Sequence, residues 1–147
     1  MKGIKLLVWF HGHKCPMSTI GYKAGQLAKK LLKLKRNDYR FAFVTVYYRS
    51  CAIDGLQVSF PATYGNNNLV VCDENKMIFI FENKRKNLKL KVLFSEELID
   101  KLQNYAIIRS KAEKEPSLLD SQKKVYKELY EFVLNGDPEL LFITKFL

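Results

Sequence analysis

The segment Met77-Ile78-Phe79-Ile80-Phe81-Glu82-Asn83-Lys84-Arg85-Lys86-Asn87-Leu88-Lys89-Leu90-Lys91-Val92-Leu93 reads as two strands around a turn. Ile and Phe fill the first half, Leu and Val alternate with Lys in the second, and the residues between carry only polar or charged side chains. A third strand candidate, Leu69 to Asp73, precedes them across the turn Glu74-Asn75-Lys76. Three strands in a run, with no helical pattern between them, predict an α+β fold with a largely antiparallel sheet. Alternating strands and helices would instead predict a parallel sheet.

The flanks supply the rest of the layers. Residues 17–35 carry Ile20, Ala24, Leu27, Ala28, Leu31 and Leu32 at helical spacing, a stripe able to cover the sheet. Lys23, Lys29, Lys30 and Lys33 fall outside it, and Ser18 or Thr19 suits its cap. Lys33, Lys35 and Arg36 would complement the negative end of its dipole. Asn37-Asp38 is a turn and Phe41 to Tyr48 a strand. Cys51 to Phe60 reads as a short helix capped by Ser50 and ended by Pro61. Tyr64-Gly65-Asn66-Asn67-Asn68 is a loop. Ser95 opens a helix to about Glu113, and a last helix covers Leu118 to Leu134. Residues 3–10 are apolar but too short to separate strand from helix. The organisation expected is one domain over 1–147, with 117–147 a C-terminal helical extension.

Chemistry concentrates in Phe10-His11-Gly12-His13-Lys14-Cys15-Pro16, which holds both histidines and one of the three cysteines. In an extended segment the three alternate side chains of H-x-H-x-C share a face. Imidazole and thiolate are the donors that zinc and similar borderline-soft metals take. Neighbouring histidines also occur as plain surface groups, and a single Cys as a small buried hydrophobe. Cys51 is the second thiol at a predicted helix start, where amide hydrogens and the dipole are expected to lower a thiol pKa. His11, His13, Cys15 and Cys51 therefore form a plausible four-ligand set. Asp54, one turn from Cys51, could ligate, fix an imidazole tautomer, or simply favour the helix start. Gln57 continues that face toward a substrate, and Cys72 reads as strand core. Four ligands would make a closed structural site, whereas three with an open position would allow Lewis-acid chemistry. The residues leave both open.

Apolar residues make up 48% of the 147, enough for a core. No apolar run reaches the ~20 residues of a membrane span, and no export signal is read at residues 4–10. Three cysteines without such a signal point to reduced thiols in a cytoplasm. The net charge of +10 is concentrated in residues 1–50, which hold eleven basic residues against one acid, Asp38. That balance would draw an anionic small molecule or a polyanion, or belong to a solvated helix face. A nucleic-acid module is the alternative function, though aromatic-interleaved and groove-reading signatures are missing.

Three signatures in order resemble the FmdE family of formylmethanofuran dehydrogenase proteins, across about residues 8–110. They are Phe10 to Pro16 followed by Ile20-Gly21-Tyr22-Lys23-Ala24-Gly25, then Cys51-Ala52-Ile53-Asp54-Gly55-Leu56-Gln57, then Thr63-Tyr64-Gly65-Asn66-Asn67-Asn68-Leu69. The resemblance implies an α+β core, a homodimer, a divalent metal (zinc), and a cleft lined by the first two motifs. It implies an accessory or small-molecule-processing role linked to formylmethanofuran or related one-carbon and redox metabolism, as in methanogenesis, and leaves open whether a reaction is catalysed. The molybdenum or tungsten chemistry of formylmethanofuran dehydrogenase belongs to its other components. Carried onto this chain, the metal ligands are His11, His13, Cys15 and Cys51. The catalytic candidates are Cys15, Cys51 and Asp54, and the substrate-binding candidates Gln57, Tyr22, Lys23 and Asn68. Departures from the family pattern fall at Met17, Tyr47, Ala62 and Asn66, and no Cys follows Cys72 to form the C-terminal zinc finger of some members. Contact between copies is expected from the C-terminal helices and the sheet, because the last residues, Leu140 to Phe142, Ile143, Phe146 and Leu147, are too apolar for a solvated tail.

Overall fold

Hydrophobic alternation places the sheet. In the computed structural model, which describes residues 1–147 apart from the side chain of Arg36, five strands run in the order β2-β1-β3-β4-β5. They are β1 (Ala42–Val46), β2 (Leu69–Val71), β3 (Ile78–Asn83), β4 (Leu88–Phe94) and β5 (Phe142–Phe146). The dipole contact expected of Arg36 lies outside the described residues. β3 pairs antiparallel with β1 and β4, and β4 with β5. Only β1 and β2 run parallel, because a helix, α3 (Ala52–Ser59), connects them. The largely antiparallel α+β reading therefore holds.

The β3–β4 turn is anchored by Asn83. Its side chain is 1% exposed, accepts from the amides of Arg85 and Lys86, and donates to the Leu32 carbonyl at 2.8 Å. Its oxygen and its nitrogen both have partners, so a buried amide costs little here. One face of the sheet is the core: Val44, Val46, Phe79, Phe81, Leu90, Val92 and Phe94 are buried against Ile20, Leu27, Leu32, Leu56 and Phe60. The Phe60 and Phe81 rings meet edge-on at 4.8 Å. The other face carries Phe43, Thr45, Ile78, Ile80 and Leu93, all half-buried, with no helix of its own.

The helices are α1 (Gly3–His11), α2 (Pro16–Leu31), α3, α4 (Glu96–Lys114), α5 (Leu119–Asn135) and a short α6 (Pro138–Leu141). Residues 3–10, which periodicity alone does not assign, are helical, with Leu7 as the buried anchor. The segment expected to cover the sheet does so over 16–31, with ten of its sixteen residues buried. Its lysines do not make one open basic face: Lys23 donates to the Gly136 carbonyl, and Lys30 faces Glu139 at 3.9 Å. α2 and α3 approach so closely that a methyl on Gly21 would sit 2.0 Å from the Ala52 carbonyl oxygen. One on Gly55 would sit 1.9 Å from the Ser18 carbonyl oxygen. Only glycine permits that approach of two backbones.

The tail is expected to face another copy, but its first part returns to its own sheet. β5 extends the sheet beyond β4, with Leu141 and Phe142 2% and 3% exposed. Two such side chains gain about 1.5–3 kcal/mol each on burial, enough to favour docking over a free tail. Leu140, Ile143, Phe146 and Leu147 remain exposed. No helix among the described residues is long and apolar enough to cross a membrane.

Candidate metal centre

The H-x-H-x-C run is not extended. His11 is the last residue of α1, and Gly12 ends that helix in the left-handed region, φ 98°, with its amide bonded to the Val8 carbonyl at 2.8 Å. Soon afterwards the chain starts α2, with Cys15 as its N-cap and Pro16 in the first turn. The cap expected at Ser18 or Thr19 is the Cys15 sulfur, which accepts from the Ser18 amide at 3.5 Å. Both hydroxyls instead donate back to the Cys15 carbonyl. Convergence thus comes from a helix–turn–helix and not from strand alternation. The donor atoms of His11, His13 and Cys15 lie within 4.8 Å of one another, and the two imidazole centroids are 4.7 Å apart.

The tight α2–α3 contact brings the second motif to the first. Asp54, in the first turn of α3, places Oδ2 2.7 Å from His11 Nδ1. The carboxylate holds the proton on Nδ1, which leaves the Nε2 lone pair for another partner. Nε2 is buried and has no partner among the described residues. A buried nitrogen without a partner is costly unless something else satisfies it. A carboxylate on one imidazole nitrogen and a metal on the other is the usual arrangement of metal-ligating histidine. On this observation the donor set fits a metal ion.

Cys51 sits at the N-cap of α3 and is exposed, outside the three-donor group. The expected lowering of its pKa is reversed: burial of the thiol group pushes it up, and the Cys15 thiol and Asp54 nearby push the same way. Neighbouring negative charge and desolvation outweigh the helix start. Its hydrogen bond to the Cys15 thiol nevertheless makes the two sulfurs neighbours.

The back of this cluster is made by α5, which the sequence presents as part of a C-terminal extension. The Tyr126 hydroxyl donates to the Lys14 carbonyl at 2.7 Å, and its ring stacks edge-on with Tyr105 at 5.5 Å. Burial, then Cys15, Tyr105 and Cys51, push its phenol up to about 12. Tyr130, one turn on, bonds Thr19, and burial raises its phenol too. The i, i+4 spacing of these tyrosines is the one signal the sequence offers, and by composition it reads as an interface.

The substrate-binding candidates disperse. Gln57 lines a cleft of about 650 Å³ with Arg49, Ile53, Tyr64, Asn67 and Leu69, and accepts from the Tyr64 amide at 3.1 Å. Tyr22 is buried, its hydroxyl bonded to Gln26 and facing Gly3 of α1. Lys23 is turned to Gly136, and burial lowers its pKa against the opposing pull of Asp137. Asn68 donates to the Tyr39 carbonyl at 2.6 Å. The structure therefore places only Gln57 in this cleft. Cys72, expected in the strand core, lies just past β2 and is half-buried. Asn66, one of the departures, builds its own loop by accepting from the Thr63 and Asn68 amides.

Comparison with known proteins agrees with the motifs. A family model described as "FmdE, Molybdenum formylmethanofuran dehydrogenase operon" matches residues 10–143. The chain belongs to the FmdE family. An FmdE-like protein of tungsten formylmethanofuran dehydrogenase from Syntrophus aciditrophicus shares the fold, with a TM-score of 0.63 at 21% identity over 98% of this chain and 69% of that one. A probable S-adenosyl-L-methionine-binding protein of Archaeoglobus fulgidus is 27% identical over 72% of this chain. The chain spans only 32% of that relative's length. In this FmdE chain both histidines and Cys15 lie inside the matched region.

Proposed function

We propose that this FmdE-family chain binds a divalent metal, zinc in the first instance, through His11, His13 and Cys15, with Cys51 able to approach as a fourth donor. The observation that carries the reading is His11: Asp54 holds Nδ1, and the buried Nε2 faces no protein partner among the described residues. Imidazole and thiolate are the donor types zinc takes. When bound, such an ion supplies Lewis-acid polarisation of a ligand oxygen. The chain's own residues do the rest: Asp54 retains the proton at His11 Nδ1, and the Ser18 amide steadies the Cys15 sulfur.

The role we assign is small-molecule binding or processing in formylmethanofuran-linked or related one-carbon and redox metabolism, in a homodimer, in the cytoplasm. An anionic ligand is supported by Arg49, which has no acidic side-chain partner among the described residues and lines the Gln57 cleft. A volume of about 650 Å³ suits a small molecule. Weaker pyrophosphate binding by Arg49→Gln, read by calorimetry, is the expected sign. The polyanion-binding alternative draws less support, since Lys23 is engaged internally.

The test is metal analysis of protein purified without chelator or affinity-tag nickel. One equivalent of metal per chain is expected in the wild type. Loss of it is expected in the His11→Ala, Cys15→Ser double variant. A wild type that stays metal-free after incubation with zinc, or a double variant that retains the full equivalent, overturns the reading.

A further inference from the structure

The ligand run is short, but a residue more than a hundred positions away grips it. His13 and Lys14 lie between α1 and α2, outside either helix, and both are exposed. A loop of this kind samples several conformations unless something ties its backbone. The Lys14 carbonyl, between the two donors His13 and Cys15, receives the Tyr126 hydroxyl at 2.7 Å. Tyr126 is itself fixed, being half-buried on α5 with its ring against Tyr105 of α4. α4 and α5 pack on one another, and α5 packs on α2, whose cap is Cys15.

We propose that Tyr126 is a positioning residue of the metal centre: it clamps the Lys14 carbonyl so that His13 and Cys15 face the same point as His11. The inference rests on the metal-binding reading. It makes the C-terminal helix pair part of the centre. The phenol is a durable donor, because burial and the nearby thiols keep it protonated well past neutral pH. Outer partners that hold ligands in this way are worth about 10–100-fold in metal affinity.

The test compares full-length wild type, Tyr126→Phe and Tyr105→Phe. Tyr126→Phe keeps the ring and its packing and removes only the donor. Zinc affinity by chelator competition is expected to fall about 10–100-fold in Tyr126→Phe and to stay unchanged in Tyr105→Phe. The visible bands of the cobalt-substituted protein, which report ligand arrangement, should shift in the former alone. In metal-free protein, amide exchange across 13–15 should quicken in Tyr126→Phe. Wild-type zinc affinity together with a wild-type cobalt spectrum in Tyr126→Phe overturns the inference and leaves the metal-binding reading standing. A wild type that binds no zinc overturns both. An equal loss in Tyr105→Phe overturns it as well, because the effect would then belong to the ring pair and not to the bond.

Discussion

His11 is gripped on one side of its ring and open on the other, and the grip comes from a different helix. Asp54 meets Nδ1 at 2.7 Å, with the His11 side chain 10% exposed and that of Asp54 37% exposed. A half-exposed carboxylate by itself contributes little to stability. Its value here lies in fixing which nitrogen carries the proton. Asp54→Asn retains an oxygen to accept the Nδ1 hydrogen but removes the charge that makes the imidazole a better donor. Zinc affinity is expected to drop about 10–100-fold. The urea midpoint of the metal-free protein should barely move. Affinity equal to wild type in that variant would show that Asp54 only serves the start of α3. The donor types are legible in the sequence because five consecutive positions hold three of them. The role of Asp54 is one of three readings there, since choosing among them needs the α2–α3 distance. Tyr126 is not legible, because its partner is a backbone carbonyl 112 positions away.

The element that sets the site's dimensions is the α2–α3 pair. Gly21 and Gly55 allow each helix to touch the other's backbone, and this brings Cys51 and Asp54 to Cys15 and His11. A methyl at either position meets a carbonyl oxygen at 2.0 or 1.9 Å, and a backbone cannot rotate aside as a side chain can. Gly21→Ala and Gly55→Ala are expected to cost at least the ~1–3 kcal/mol of ordinary overpacking, and to weaken zinc binding by drawing Asp54 from His11. Gly65→Ala is the control, since the nearest atom to its added methyl is 3.9 Å away. Urea denaturation of the three variants would show two lowered midpoints and one unchanged. Equal midpoints in all three would mean that the helices can separate without loss. At this scale the stripe on α2, the strand run and the Ser95 cap are legible, being written in local spacing. Two features are not. α1 is too short for periodicity to decide, and β5 follows a four-residue helix, so its pairing with β4 depends on chain reversal.

Across the whole molecule, the sheet is covered on one face and bare on the other. The pairing register sets Thr45 beside Val70 and Ile80, and Ile78 beside Leu93, which in turn faces Ile143. These side chains form an apolar stripe across the bare face, with Val70 48% and Ile143 52% exposed. Large contiguous apolar surface on a soluble domain usually marks an interface, and a second copy of this chain offers the complementary surface by symmetry. The C-terminal residues enter this picture differently from a free tail: β5 covers the flank of β4 while adding Ile143 to the stripe. Deleting 138–147 would therefore confuse two effects, since it also strips β4 of its partner and uncovers Phe94. A point charge separates them. Ile80→Lys lies on the bare face, half-buried and away from the core, so the fold should survive. Light scattering at micromolar concentration is expected to give a mass near two chains for the wild type and near one for Ile80→Lys, with the far-ultraviolet dichroism of the two alike. A wild type that scatters as a single chain, or an Ile80→Lys variant that stays paired, would mean that the stripe is not the surface where copies meet.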